Sequence, residues 1–185
     1  MPTGSVYAGM DPKHGPFDVI GNLASLKRYA RSLVRSNADA EDLVQDALVK
    51  AYERRSTFRA GANLRNWLFA ILHNTHVDTL RSNRSRVRRD EASAADIEYA
   101  IPASQDDAVH LRQVHEAFMQ LPAEQREALH LVAVEDLSYQ QAADALGVPI
   151  GTLMSRVSRA RATLRNFEQA TTRTAHLRLV GGGND

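Results

Sequence analysis

Apolar residues in the first half of this chain recur at intervals of three and four, and no β-type alternation interrupts them. Leu23, Leu26, Ala30, Leu33 and Val34 mark a helix within Phe17 to Val34, with Lys27, Arg28, Arg31 and Arg35 on its other faces. Asp39 is placed to cap a second helix. Along it Leu43, Val44, Ala47, Leu48, Ala51 and Tyr52 form one stripe, and Glu41, Asp42, Gln45 and Asp46 lie opposite. Thr57 to Asn63 reads as a loop, and Asn63 is a candidate cap for a long third helix. The predicted buried face of that helix is Leu64, Trp67, Leu68, Ile71 and Leu72; its other faces offer Arg65, Asn66, Asn74, His76, Asp78 and Arg81.

The period breaks over residues 83–107, where arginines give way to acidic and small residues and Pro102, the composition of a flexible linker. Ile97, Tyr99 and Ile101 are apolar for a free tether. Helical spacing returns with Leu111, Val114, Phe118 and Leu121, and Pro122 opens another helix with Leu129, Val132 and Ala133 facing inward. The expected fold is all-α. Two small helical domains, at residues 17–82 and 108–168, lie between flexible tails at 1–16 and 169–185.

The stretch LSYQQAADALGVPIGTLMSRVSRARATLR carries the sharpest local signals. Ser138 and Gln141 have capping-box spacing, so a helix starts there. Gly147 suits the left-handed residue that ends a helix, and Pro149 prevents its continuation. A second helix from about Ile150 carries Arg156, Arg159, Arg161 and Arg165 and no acid. Two short helices around a Gly-containing turn, the second basic, predict a helix-turn-helix with a recognition helix. The plain alternative is a helical hairpin with a solvated basic face. Thr152 and Ser155 precede the arginines, so short polar side chains come first and phosphate-binding cations follow.

Composition narrows the rest. The chain has 185 residues, 43% hydrophobic and 6% aromatic, enough for small helical cores. Without cysteine there is no disulfide and no Cys-based zinc site, which fits a reducing cytoplasm. No signal peptide or membrane span is expected. The net charge of +1 hides an asymmetry: residues 1–90 hold 15 Lys and Arg against 9 Asp and Glu, residues 91–185 hold 8 against 13. Such unequal halves suggest two modules with different surfaces.

Catalytic signatures are not found. His73 and His76 lack a carboxylate-rich cluster, there is no H-E-x-x-H, phosphate loop or G-x-S-x-G, and no metal or cofactor is expected. A non-enzyme is the consistent reading. In the first half, Trp67 and Phe69 with nearby amides, arginines and the Phe58 loop suit unstacked single-stranded bases. A core role for Trp67 is the stronger reading of its place on the apolar stripe. Asn74, in mid-helix, has no capping role and is the better candidate for base contact.

Taken together, DAEDLVQDALVKAY, NLRNWLFAILHN and LPAEQREALHLVAVEDLSYQQAADALGVPIGTLMSRVSRAR resemble an extracytoplasmic-function (ECF) sigma factor of bacterial RNA polymerase, over about residues 17–167. FRAGANLRNWLF and GTLMSRVSRAR are similar to the EcfG type of the general stress response. The resemblance implies a σ2 domain that opens the −10 element and a σ4 domain that reads the −35 element. It implies that Asp39, Glu41, Asp42, Gln45 and Asp46 grip the clamp of the largest polymerase subunit, with σ4 on the β flap. It places Phe58, Asn63, Arg65, Asn66, Asn74, Asp78 and Arg81 against −10 DNA, the Phe58–Asn63 loop and Asn74 holding a flipped-out base. It places Ser138, Tyr139, Thr152, Met154, Ser155, Arg156, Ser158, Arg159 and Arg161 against −35 DNA. Met154 departs from the basic residue common in the family, which shifts recognition there toward apolar contact.

The implied partners are core RNA polymerase, promoter DNA and a NepR-like anti-sigma factor released by a PhyR-like regulator; the protein is expected to be a cytoplasmic monomer that binds no membrane. Two rivals remain at this point. A stand-alone helix-turn-helix regulator would leave the acidic face unexplained. A sigma mimic that sequesters an anti-sigma factor would need no basic recognition helix.

Overall fold

The computed structural model describes residues 17–59, 61–87 and 106–180. Its helices are α1 (Leu23–Leu33), α2 (Asn37–Glu53), α3 (Leu64–Val87), α4 (Asp106–Gln120), α5 (Ala123–Ala133), α6 (Tyr139–Leu146) and α7 (Ile150–Val180), with single 3-10 turns at Ile20–Asn22 and Arg55–Thr57. No strand occurs among the described residues. The predicted tail at 1–16 and the linker residues Ile97, Tyr99 and Ile101 lie outside them. α7 continues to Val180, well into the stretch that reads locally as a tail, and α3 extends to Val87.

Local rules account for most boundaries. Ser36, not Asp39, caps α2: its Oγ accepts from the Asp39 amide at 3.4 Å, which leaves Asp39 in the first turn where a carboxylate complements the helix dipole. Asn63 Oδ1 accepts from the Asn66 amide at 3.1 Å and opens α3 as expected. Tyr52 departs from its stripe. It is 64% exposed, with the Arg55 guanidinium 4.2 Å from its ring centroid, because α2 outruns the neighbours that could cover its last turn. Leu111 and Ala133 are likewise exposed.

Leu26, Tyr29, Leu33, Leu43, Val44, Leu68, Phe69 and Leu72 fill the space between α1, α2 and α3, and Leu153, Val157 and Ala160 seat α7 on its neighbours. The halves do not form separate cores. α1 packs on α5 and α3 on α6, so one continuous cluster runs from Leu26 to Ala160. Ala128, Ala142 and Ala145, all fully or almost fully buried, let backbones approach closely along these contacts. The seam is also polar. Arg126 Nε donates to the Ser32 carbonyl at 2.6 Å, and its Nη1 to those of Met119 and Leu121, both at 2.9 Å. Tyr29 stacks on His130 with ring centroids 5.6 Å apart.

Candidate nucleic-acid and partner interfaces

The helix-turn-helix is built as its capping signals require. Ser138 Oγ accepts from the Gln141 amide at 3.2 Å while Gln141 Oε1 accepts from the Ser138 amide at 2.9 Å, a reciprocal capping box. Gly147 has φ 62°, where a Cβ would be strained, and Val148 N bonds back to the Ala143 carbonyl at 3.1 Å. With Leu153, Val157 and Ala160 inward, α7 turns Thr152, Met154, Ser158, Arg159 and Arg161 to solvent; Ser155 and Arg156 are half-buried. Arg156 Nη2 donates to Glu124 Oε2 at 2.6 Å. Arg161 Nη1 donates to the Tyr139 hydroxyl at 3.4 Å. Thr152, Ser155, Arg156 and Arg159 share a cleft of about 470 Å³ with Pro122, Glu124 and Gln125, open at the start of α7. The structure therefore gathers Thr152, Ser155, Arg156 and Arg159 around one cleft, adds Glu124, which sequence reasoning missed, and sets Tyr139, Met154, Ser158 and Arg161 on another side of α7. The only local signal for Glu124 is an acid at the start of α5.

On α2, Asp39, Glu41, Asp42, Gln45 and Asp46 are all exposed, opposite the buried Ala40, Leu43, Val44 and Ala47. Asp39, Asp42 and Asp46 follow i, i+3, i+7 spacing and project from one side, a compact anionic strip.

The Phe58 loop and α3 differ from the sequence-based picture. Phe17, Phe58 and Trp67 form a three-ring cluster with centroids 5.4 to 6.0 Å apart, so these rings pack on each other. Phe69 is fully buried, edge-on to Tyr29 at 5.4 Å, and is no stacking platform. His76, expected on an open face, is 6% exposed, and burial lowers its pKa despite the opposing Glu127 charge. Asn66 is half-buried, whereas Asn74, Asp78 and Arg81 are exposed. Lys50 Nζ lies 3.4 Å from Asp78 Oδ2.

Arg65 is only partly exposed. It joins a network around Glu135, whose side chain is 0% exposed just after the end of α5. Arg28 Nε and Nη2 donate to the two carboxylate oxygens at 2.9 and 3.0 Å, a bidentate fork from α1. Arg65 Nη1 donates to the Glu135 main-chain oxygen at 2.7 Å, and its Nη2 to the carboxylate. His130 Nε2 lies 3.4 Å from Oε1. Burial alone would push this carboxyl up; the His130, Arg28 and Ser25 side chains gathered on it and the Arg28 charge outweigh it and hold the pKa at about 2. A second pair, His73 Nδ1 and Glu127 Oε2 at 3.3 Å, crosses the same seam. Sequence reading missed this network, since an acid in the apolar run LVAVEDL gives no hint of its partners.

The comparisons fit this layout. Residues 20–86 match the Sigma-70 region 2 family and residues 111–164 the Sigma-70, region 4 family. The chain is 40% identical over 152 residues to the ECF RNA polymerase sigma factor EcfG of Rhodopseudomonas palustris, covering 80% of this chain and 81% of that one. The chain belongs to the ECF RNA polymerase sigma factors. Among solved structures, it resembles the sigma factor RpoE of Bartonella quintana in complex with the anti-sigma factor NepR, at 36% identity and TM-score 0.69, covering 82% of this chain and 94% of that one. It also resembles CnrH in complex with the cytosolic domain of CnrY, at 26% identity and TM-score 0.58, covering 82% and 85%. In this ECF sigma factor, region 2 comprises α1–α3, and region 4 runs from α4 into α7. No described helix is long and apolar enough to cross a membrane.

Proposed function

We propose that this sigma factor binds core RNA polymerase through the anionic strip of α2 and directs it to promoters, with α3 and its preceding loop at the −10 element and α7 at the −35 element. It acts as an initiation factor in the cytoplasm and not as a catalyst. The observation that carries this reading is the pairing of two unlike faces on one chain: an acidic strip opposite the α2 core and a largely basic exposed face on α7, the helix that follows the capped α6. The strip suits a basic protein surface. The helix suits a major groove, with Thr152, Met154 and Ser155 near base edges and Arg159 and Arg161 toward phosphates.

Each region alone would bind DNA weakly and with strong salt dependence; tethering both to polymerase raises their effective concentration at the promoter. Asn74 and the loop ending at Asn63 would then hold an extruded base, their contacts offsetting the few kcal/mol of unstacking. The likeness to a sigma factor crystallised with NepR supports control by a NepR-like anti-sigma factor released by a PhyR-like regulator, in a general stress response. Run-off transcription with core polymerase tests the central claim. Initiation that depends on the added protein is expected; tight operator binding without polymerase, or anti-sigma binding without core binding, would replace it with one of the rival readings.

A further inference from the structure

We propose that Ser25, Arg28 and Arg65 form a binding site for a backbone phosphate of promoter DNA, and that the Glu135 carboxylate occupies this site while the two regions are closed on each other. The inference rests on the reading that α3 faces promoter DNA.

The cradle belongs to one region and its occupant to the other. Arg28 and Ser25 lie on α1 and Arg65 in the first turn of α3, whereas Glu135 comes from beyond α5. Arg28 Nη2 and Arg65 Nη2 both reach Ser25 Oγ, at 3.0 and 3.4 Å, so one hydroxyl fixes two guanidiniums toward the same oxyanion. Arg28 and Arg65 stay 47% and 32% exposed even with the carboxylate seated, so the cradle opens at a surface. Were the regions to part, two like charges would be left converging without their anion, an arrangement that another anion stabilises. A phosphodiester presents two charged oxygens to the same guanidinium fork that now holds the carboxylate.

Position selects which phosphate. Arg65 precedes Asn74 by nine residues on the same helix, about 13 Å along its axis. Nine residues also carry the chain about half a turn around α3, so the cradle and Asn74 lie on different sides of the helix and the cradle takes a phosphate of the DNA flanking the −10 element, not one beside the base that Asn74 holds. Closure and −10 engagement then compete for the same two cations. The closed chain is thereby kept from wandering onto DNA until polymerase separates the regions.

The test uses the full chain with core polymerase and promoter DNA in which single phosphates are neutralised as methylphosphonates. Arg28→Ala should lower holoenzyme affinity for the promoter about fivefold to tenfold and reduce the log–log salt slope by roughly 0.7 to 0.9, one phosphate's share. Neutralising one linkage beside the −10 element should weaken wild type by a similar factor and the variant no further. Arg28→Lys, which keeps charge but loses the fork, should retain the slope. Glu135→Gln should raise the free protein's affinity for a single-stranded −10 oligonucleotide several-fold. If wild-type holoenzyme binds the promoter but the loss from Arg28→Ala adds to that of every neutralised linkage, or there is no loss, the site is an internal ion pair and the proposal is overturned. If wild-type holoenzyme itself shows no promoter preference, the parent reading fails and takes this one with it.

Discussion

Arg65 donates to Glu135 twice, once to its main-chain oxygen at 2.7 Å and once to its buried carboxylate, across 70 residues of sequence. The contact joins the first turn of α3 to the start of the α5–α6 connection. It ties a residue expected at the −10 element to the domain expected at the −35 element. The two uses of Arg65 exclude each other.

Breaking this contact should loosen the closed form. Glu135→Gln keeps the volume but removes the charge that two guanidiniums and His130 converge on. The cations are partly exposed and water can resolvate them, so the loss is expected at about 2 kcal/mol, below the cost of breaking a fully buried pair. Urea unfolding should show the lower midpoint, and small-angle scattering a larger radius, with helix content kept. An unchanged midpoint and radius would mean that the apolar seam alone holds the regions together.

The same group sets an acid limit. The Glu135 pKa is about 2 against an ordinary 4.5. A carboxyl depressed in this way stabilises the fold fully above pH 4.5 and loses that contribution as pH falls through about 2. The contribution is on the order of 2–3 kcal/mol, so the stability gap between wild type and Glu135→Gln should be constant from pH 8 to 5 and shrink below 4.5. His76 acts at higher pH. Its lowered pKa means the unfolded chain takes up a proton below 6.5 that the folded chain resists, so stability should begin to fall just under pH 6.5. His76→Gln should lack that early decline in urea midpoints measured against pH.

Reversing charge on the α2 strip should separate partner binding from folding. Asp42→Lys with Asp46→Lys places cations at two exposed positions, so the thermal midpoint should stay near that of wild type. Affinity for core polymerase should fall at least about a hundredfold, because like charges facing each other across an interface cost several kcal/mol. Co-purification with core polymerase reads this directly. Loss of helix content in the variant would count against a surface role.

On α7, side chains near the start should govern choice of promoter and those farther along should govern grip. Met154 is 53% exposed and donates no hydrogen bond; Met154→Arg should alter which −35 base is preferred, by about 1–3 kcal/mol at one position. Arg159→Ala should weaken all promoters alike and reduce the salt slope by about 0.9. Competition binding against a library of −35 variants distinguishes the two effects.

The caps should matter out of proportion to their size. Ser138→Ala removes one half of a reciprocal capping box and is expected to cost about 1 kcal/mol. Gly147→Ala forces a Cβ into φ 62° and should cost about 1 kcal/mol. Both should lower the unfolding midpoint and weaken −35 binding, because they set the angle between α6 and α7.

Signals that act over a few residues were readable from the sequence. Capping at Ser138 and Asn63, the left-handed turn at Gly147, the buried stripe from Leu43 to Ala51 and the outward faces of α2 and α7 all follow from helical period and local hydrogen bonding. So does the all-helical class. The sequence by itself also placed Asn74 on an exposed face, since nothing in mid-helix needed its amide. Tertiary structure decided what no local rule reaches. Phe69 and His76 lie inside because helices meet them on sides that the period of α3 alone leaves open. Arg28 and Glu135, 107 residues apart, pair because α1 packs on α5. Whether a charge faces solvent, DNA or another charge depends on which surfaces meet, and that is fixed by the packing of whole helices.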